Sequence, residues 1–208
     1  MKAVMRTLAL LMLASFTMSA YSASKTILVL GDSLSAEYGL ARGEGWVNLL
    51  QKKLEAEKIT ASIVNASISG ETTSGGAARL QTLLDKHQPA VVVIELGAND
   101  ALRGLSLIAT QQNLRNMVAA AKKAKARVLL IGMQIPPNYG TDYTRQFADL
   151  FPKIAKESKS ALVPFMLKDV ADKANPNLFQ ADRIHPSAEA HPIILNNIWP
   201  QLKPLLSK

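Results

Sequence analysis

The chain has 208 residues, 48% of them apolar, enough for one substantial core without a division into several. Its 24 basic residues outnumber 16 acidic ones, and the net charge of +8 is compatible with anionic lipid or nucleic acid without deciding for either. There is no cysteine, which excludes disulfides, zinc–cysteine sites and thiol catalysis.

Lys2 and Arg6 give a positive start, Leu8 to Met18 is almost wholly apolar, and the small residues Ala20, Ser22 and Ala23 follow. That is the pattern of a secretory signal over residues 1–22, cleaved after Ser22 or, as the alternative, after Ala20. The apolar stretch is short for a membrane span, and a retained anchor helix is the competing reading. Removing 1–22 takes away two basic residues and no acid, so +8 becomes +6. Residues 23–208 are expected to form a single exported domain.

Thr26 to Leu30 is an uncharged, β-branched and aliphatic run, the mark of a strand buried on both faces. It exits through Gly31-Asp32-Ser33-Leu34-Ser35, a sharp polar turn. Trp46, Leu49, Leu50 and Leu54 then recur at helical spacing. A second strand is expected at Ala61 to Ala66, a polar loop at Ser67 to Thr73, and a helix marked by Leu80, Leu83 and Leu84. Pro89 separates that helix from the strand Ala90 to Leu96, the most apolar stretch after the signal, which ends abruptly in Gly97-Ala98-Asn99-Asp100. Leu114, Met117, Val118 and Ala121 mark a helix from about Thr110 to Lys125. The basic run Lys122 to Arg127 closes it and complements the helix dipole, and no aromatic residues interleave with it to stack bases. A fourth strand is expected at Arg127 to Met133, a turn at Pro136 to Gly140, a helix from about Asp142 to Ser158, and a short strand at Ala161 to Phe165. Pro186 to Leu206 reads as a closing helix, with Pro186 in its first turn. Strands alternating with helices through connections too long for hairpins predict an α/β, three-layer α/β/α architecture. In the flavodoxin-like version, about five parallel strands run in the order 2-1-3-4-5.

In that order the second, first and third strands are neighbours, so Gly70, Ser33 and Asn99 lie side by side at the carboxyl edge, where open α/β sheets bind ligands. Ester hydrolysis by a serine needs donors aimed at the oxyanion, and the backbone N–H groups of Ser33 and Gly70 with the Asn99 amide supply three. The serine also needs a base. His87 lies at the far end of a helix, away from these loops. His185 has Asp182 three residues earlier, a spacing that lets a carboxylate orient the imidazole, whereas His191 has only Glu189 nearby; His185 is favoured as base and His191 is the rival. Asp32, next to Ser33, is assigned to bracing the turn. The turn is not the Gly-x-Ser-x-Gly elbow, because Ser35 stands where the second glycine would be. Ser22-Ala23-Ser24-Lys25 fits Ser-x-x-Lys by chance, across the expected cleavage site.

Gly-Asp-Ser-Leu-Ser, Gly70, Gly97-Ala98-Asn99-Asp100 and Asp182-Arg183-Ile184-His185-Pro186 resemble the four blocks of the SGNH (GDSL) hydrolases. Val64 to Thr72 and Pro136 to Gly140 are similar to the periplasmic multifunctional thioesterase, protease and lysophospholipase (arylesterase) family within them. The resemblance implies Ser33, Asp182 and His185 as triad and Ser33, Gly70 and Asn99 as oxyanion site, with no cofactor and no metal. It implies a periplasmic hydrolase of acyl esters, thioesters or lysophospholipids, secretion being the alternative location. The expected protein is a monomer, with transient membrane-surface contact and no nucleic-acid partner. Ala98 and Glu37 depart from the family's usual glycines and are expected to reshape the entrance. The resemblance also implies that Leu102, Leu105, Leu107 and Ile108 help form an acyl pocket, against the alternative that they pack under the next helix. Two other functions remain: a carbohydrate O-deacetylase, and a non-catalytic flavodoxin-like binding module, which would leave Asp182 and His185 unexplained.

Overall fold

Ile27 to Leu30 and Val91 to Ile94 are wholly buried, because their strands carry helices on both faces. The structure, a computed structural model, describes residues 25–171 and 176–207. The expected signal at 1–22 lies outside the described residues. In chain order the elements are β1 (Lys25–Gly31), α1 (Trp46–Ala56), β2 (Ala61–Asn65), α2 (Thr73–His87), β3 (Val91–Glu95), α3 (Ala98–Leu102), α4 (Leu107–Lys123), β4 (Arg127–Ile131), α5 (Thr141–Ser158), β5 (Ala161–Val163) and α6 (His191–Leu202). The five strands are parallel in the order β2-β1-β3-β4-β5, as expected. Helices α1 and α6 pack together on one face, and α2, α4 and α5 cover the other. The chain reverses its direction of winding between β1 and β3, so their carboxyl ends part and open a crevice.

Local chemistry sets the ends of the elements. Thr72 caps α2 by accepting from the Gly75 N–H, and Ser106 caps α4 by accepting from Ala109. That cap starts α4 at Leu107, three residues ahead of the expected Thr110. In α5, Phe147 and Phe151 lie one turn apart and meet edge to face, ring centroids 5.3 Å apart. No described helix is long and apolar enough to cross a membrane.

Three expectations change. β5 ends at Val163 rather than Phe165 because Pro164 has no N–H to give the ladder. The short helix α3, carrying Asn99, was not expected after β3. The closing helix does not begin at Pro186. Pro186 is bridged antiparallel to Phe179, with the Gln180 N–H donating to the His185 carbonyl (2.8 Å) and the Ser187 N–H to that of Leu178 (3.0 Å). The helix waits until His191, and Pro192 takes its first turn.

Candidate active site

β1 delivers Ser33 into a tight turn. The Ser35 and Ala36 N–H groups donate to the Asp32 carbonyl (3.2 and 3.0 Å), and the Leu34 N–H donates to Asp32 Oδ1 (3.0 Å). Asp32 thus braces the turn, as expected. Gly31 is required by close approach: a Cβ there would lie 2.8 Å from Glu95 Oε2 and 2.8 Å from the Ser35 side chain.

Asp182 organises the segment facing Ser33. Its Oδ1 accepts from the backbone N–H groups of Ile184 (2.9 Å) and His185 (3.0 Å), and its Oδ2 lies 2.7 Å from His185 Nδ1. Burial works to raise the Asp182 pKa, but those two N–H groups and the imidazole outweigh it and hold the carboxyl down at about 2. The ionised carboxylate can only accept, so His185 Nδ1 carries a proton in that contact, and Nε2 is the ring nitrogen turned to the serine. That Nε2 lies 2.9 Å from Ser33 Oγ. The Tyr38 ring lies over the imidazole at 4.3 Å between centroids, and the Gln180 amide bridges the Tyr38 and Pro186 carbonyls (2.8 and 2.9 Å). The sequence carried no local sign of either contact.

Gly70 arrives from the loop after β2 and Asn99 from the first turn of α3 after β3, on either side of Ser33. Gly70 has φ +77°, which favours glycine, and its carbonyl accepts from Arg103 Nη2 (2.9 Å). The backbone N–H groups of Ser33 and Gly70 have no acceptor among the described residues. Asn99 Nδ2 donates one hydrogen to Asp32 Oδ2 (3.0 Å), which leaves its second free. Ser33, His185 and Asp182 are thus in direct contact, Asn99 reaches them through Asp32, and Gly70 lies in the adjoining loop at the same edge of the sheet.

Beneath them is a group the sequence reading passed over. Glu95 ends β3 and is buried; its Oε2 accepts from the Ser35 hydroxyl (2.7 Å) and the Asp32 N–H (3.3 Å). The Trp46 indole N–H donates in turn to Ser35 Oγ (3.2 Å). Burial raises the Asp32 carboxyl to about 6, against the lowering pull of the Leu34 N–H, His185 and other donors. Burial, with the Asp32 charge beside it, raises Glu95 well above the usual carboxylate range. A lone acid in an otherwise apolar strand was the available signal.

His191 has a different task. Its buried Nδ1 accepts the Trp46 N–H (3.0 Å), capping the first turn of α1, where Gly45 offers no side chain. Burial lowers its pKa to about 4, against smaller raising effects of Glu37 and Glu44. His87 ends α2, part-buried. Glu37 also finds an account: it holds φ +58°, and its Oε1 accepts from Gly43 and Gly45 (3.0 and 2.7 Å), organising the approach to α1. Ala98 is buried in the first turn of α3. The stretch from Asp100 to Ala109, expected as a loop, is mostly the end of α3 and the start of α4; Leu102 and Leu107 pack against the core, whereas Leu105 and Ile108 are exposed at 44% and 82%. Leu107 and Ile108 also border a groove between α4 and α5, beside Gln146 and Leu150.

A parallel sheet in this order, with its polar cluster at the carboxyl edge of the winding reversal, is the architecture of the SGNH hydrolases. The chain belongs to the GDSL-like Lipase/Acylhydrolase family, whose model matches residues 29–193. It is 49% identical over 194 residues to Esterase TesA of Pseudomonas aeruginosa, spanning 93% of this chain and 96% of that protein. It is 43% identical over 186 residues to Thioesterase 1/protease 1/lysophospholipase L1 of Escherichia coli, spanning 89% and 87%. The crystal structure of TesA superposes with a TM-score of 0.84 at 50% identity, covering 87% of this chain and 99% of that one. The psychrotrophic esterase EstA from Pseudoalteromonas sp., in a structure inhibited by monoethylphosphonate, gives 0.83 at 43% identity, covering 89% and 100%. The protein is an ester hydrolase of the SGNH type, and the binding-module reading falls.

Proposed function

We propose that the protein hydrolyses acyl esters and thioesters through a Ser33–His185–Asp182 triad and an acyl-enzyme intermediate. The observation that carries this reading is the line of contacts from Ser33 Oγ to His185 Nε2 (2.9 Å) and from His185 Nδ1 to Asp182 Oδ2 (2.7 Å). Ser33 Oγ attacks the acyl carbonyl carbon and its proton passes to His185 Nε2. Negative charge collects on the carbonyl oxygen, where the N–H groups of Ser33 and Gly70 and the free hydrogen of the Asn99 amide receive it. Collapse breaks the bond to the leaving alcohol or thiol, which takes the proton from His185. Water, deprotonated by His185, then attacks the acyl-Ser33 carbonyl carbon; collapse breaks the bond to Ser33 Oγ, which takes the proton back from His185, and the carboxylic acid leaves. Asp182 holds the Nδ1–H tautomer throughout.

The substrate class is a small acyl ester, a thioester or a lysophospholipid, with Leu105 and Ile108 offering exposed apolar surface to an acyl chain. Those side chains, and relatives named esterase and thioesterase, favour this over carbohydrate O-deacetylation. Export by residues 1–22 to the periplasm, action as a monomer and transient contact with membrane surfaces belong to the same proposal, and N-terminal sequencing of the exported protein tests the cleavage. Ser33→Ala is expected to lower turnover of a nitrophenyl butyrate by at least about 1000-fold and abolish fluorophosphonate labelling, with the melting temperature kept. Turnover surviving in Ser33→Ala would overturn the assignment.

A further inference from the structure

A charged residue at the end of a central strand is costly to bury, and nothing in the line from Ser33 to Asp182 requires it. Yet Glu95 lies over the bare Cα of Gly31 and accepts from the Asp32 N–H (3.3 Å) and the Ser35 hydroxyl (2.7 Å), which sets its carboxyl group beside Asp32. Asp32 Oδ2 in turn receives the Asn99 amide at 3.0 Å. Glu95 is thus one hydrogen bond from Asp32 and two from the side-chain donor of the oxyanion site.

We propose that Glu95 is a positioning residue: as a neutral acid it donates its proton to the Asp32 carboxylate and, through Asp32, holds the Asn99 amide against the developing oxyanion. The proposal rests on the serine-hydrolase reading above. Neighbouring buried carboxyl groups each raise the cost of ionising the other, so the pair keeps one proton. Asp32 is the member that stays charged, because its two oxygens already accept from the Leu34 N–H and the Asn99 amide. The environment favours the proton on Glu95, whose pKa is raised by burial and by the Asp32 charge. A second negative charge here would oppose the oxyanion that forms nearby; the shared proton prevents it. The bond from the Trp46 indole to Ser35 holds the hydroxyl that faces Glu95, which ties the acid to the start of α1. Asn99 needs such a clamp because a free amide rotates and offers its oxygen as readily as its hydrogens.

The test compares kcat and KM of purified variants on nitrophenyl butyrate, with each variant's melting curve recorded. Glu95→Gln keeps the shape, an N–H for Asp32 and an oxygen for Ser35, and is expected to retain kcat within about threefold. Glu95→Leu removes every bond and is expected to lower kcat by about 10- to 100-fold at nearly unchanged KM, since the lost contact acts in the transition state. In an Asn99→Ala background the same change is expected to cause no further loss, which a general loosening of the fold would not reproduce. Glu95→Met replaces Glu95→Leu if the latter does not fold. Glu95→Gln as impaired as Glu95→Leu, or losses that multiply in the double variant, would overturn the proposal. Ser33→Ala, assayed alongside, separates the two levels. Activity in that variant defeats the serine reading, whereas an inactive Ser33→Ala with multiplicative losses at Glu95 defeats this inference alone.

Discussion

His191 offers the sharpest quantitative test, because one side chain links a helix cap to acid stability. Its Nδ1 accepts the Trp46 N–H at 3.0 Å, so it must be neutral for α1 to keep that bond. Folding lowers its pKa from 6.5 to about 4. Between those values the unfolded chain holds a proton that the folded protein refuses, so stability rises with pH across the window and is lost as pH falls through it. At about 1.4 kcal/mol per pH unit, the full displacement amounts to about 3 kcal/mol, an upper value. Asp32 and Glu95 act in the opposite sense. Their raised pKa values mean that the folded state binds protons more tightly, so their contribution declines as pH rises, for Asp32 from about 3.8 to about 6. The two effects are separated by a variant. His191→Asn keeps an acceptor for the Trp46 N–H and cannot titrate. Urea unfolding of wild type and His191→Asn at several values from pH 4 to pH 7.5 should give a stability difference that changes by about 2–3 kcal/mol across the window and is flat above it. Esterase turnover at pH 8 should be close to wild type, since Ser33 faces His185. A pH-independent difference would refute the cap argument, and loss of turnover with intact folding would return His191 as a base.

Gly31→Ala places a Cβ 2.8 Å from Glu95 Oε2 and is expected to destabilise by about 1–3 kcal/mol, read by urea midpoint, with a fall in kcat as the Ser33 turn shifts. Asp182→Asn should lower kcat by about 10⁴-fold while leaving near-wild-type melting, because the amide can favour the wrong imidazole tautomer. Leu105→Ser combined with Ile108→Ser should reduce kcat/KM for octanoyl esters by about 10-fold relative to acetyl esters; an unchanged ratio across a chain-length series would remove both residues from the acyl site.

Much of this architecture is legible locally. Uncharged runs such as Val91 to Ile94 become strands buried on both faces, and alternation with amphipathic segments specifies the parallel sheet. The expected site residues were readable because each polar segment interrupts an apolar one or pairs a histidine with an acid one turn away. What was not legible depends on contacts between distant segments. The bond between His191 and Trp46 joins residues 145 apart, so no periodicity announces it. Glu95 is a single acid in an apolar strand, and its place is set by Gly31 and Ser35, about 60 residues earlier in the chain, packed against it. Pro186 and Pro192 both suit a first helical turn, and only the bridge from Phe179 to Pro186 decides between them.

The segment that carries Asp182 and His185 is held to the sheet in an unusual way. Among the described residues, its backbone hydrogen bonds from Leu178 to Ser187 close on itself, between Gln180 and His185, Arg183 and Gln180, and Ser187 and Leu178. Its ties to the Ser33 side are made by side chains: the Gln180 amide, the Tyr38 ring and the bond to Ser33. Such a unit is expected to open as a piece, drawing Leu178 out of the core, while the parallel sheet stays whole. Activity then follows the free energy of that local opening rather than of global unfolding, so heat should silence the enzyme before it melts. Amide exchange at Ile184 and His185 outpacing that at Val93 is the expected signature, and equal protection would contradict it. An inactive enzyme and an unfolded one would be different populations, separated by one small segment.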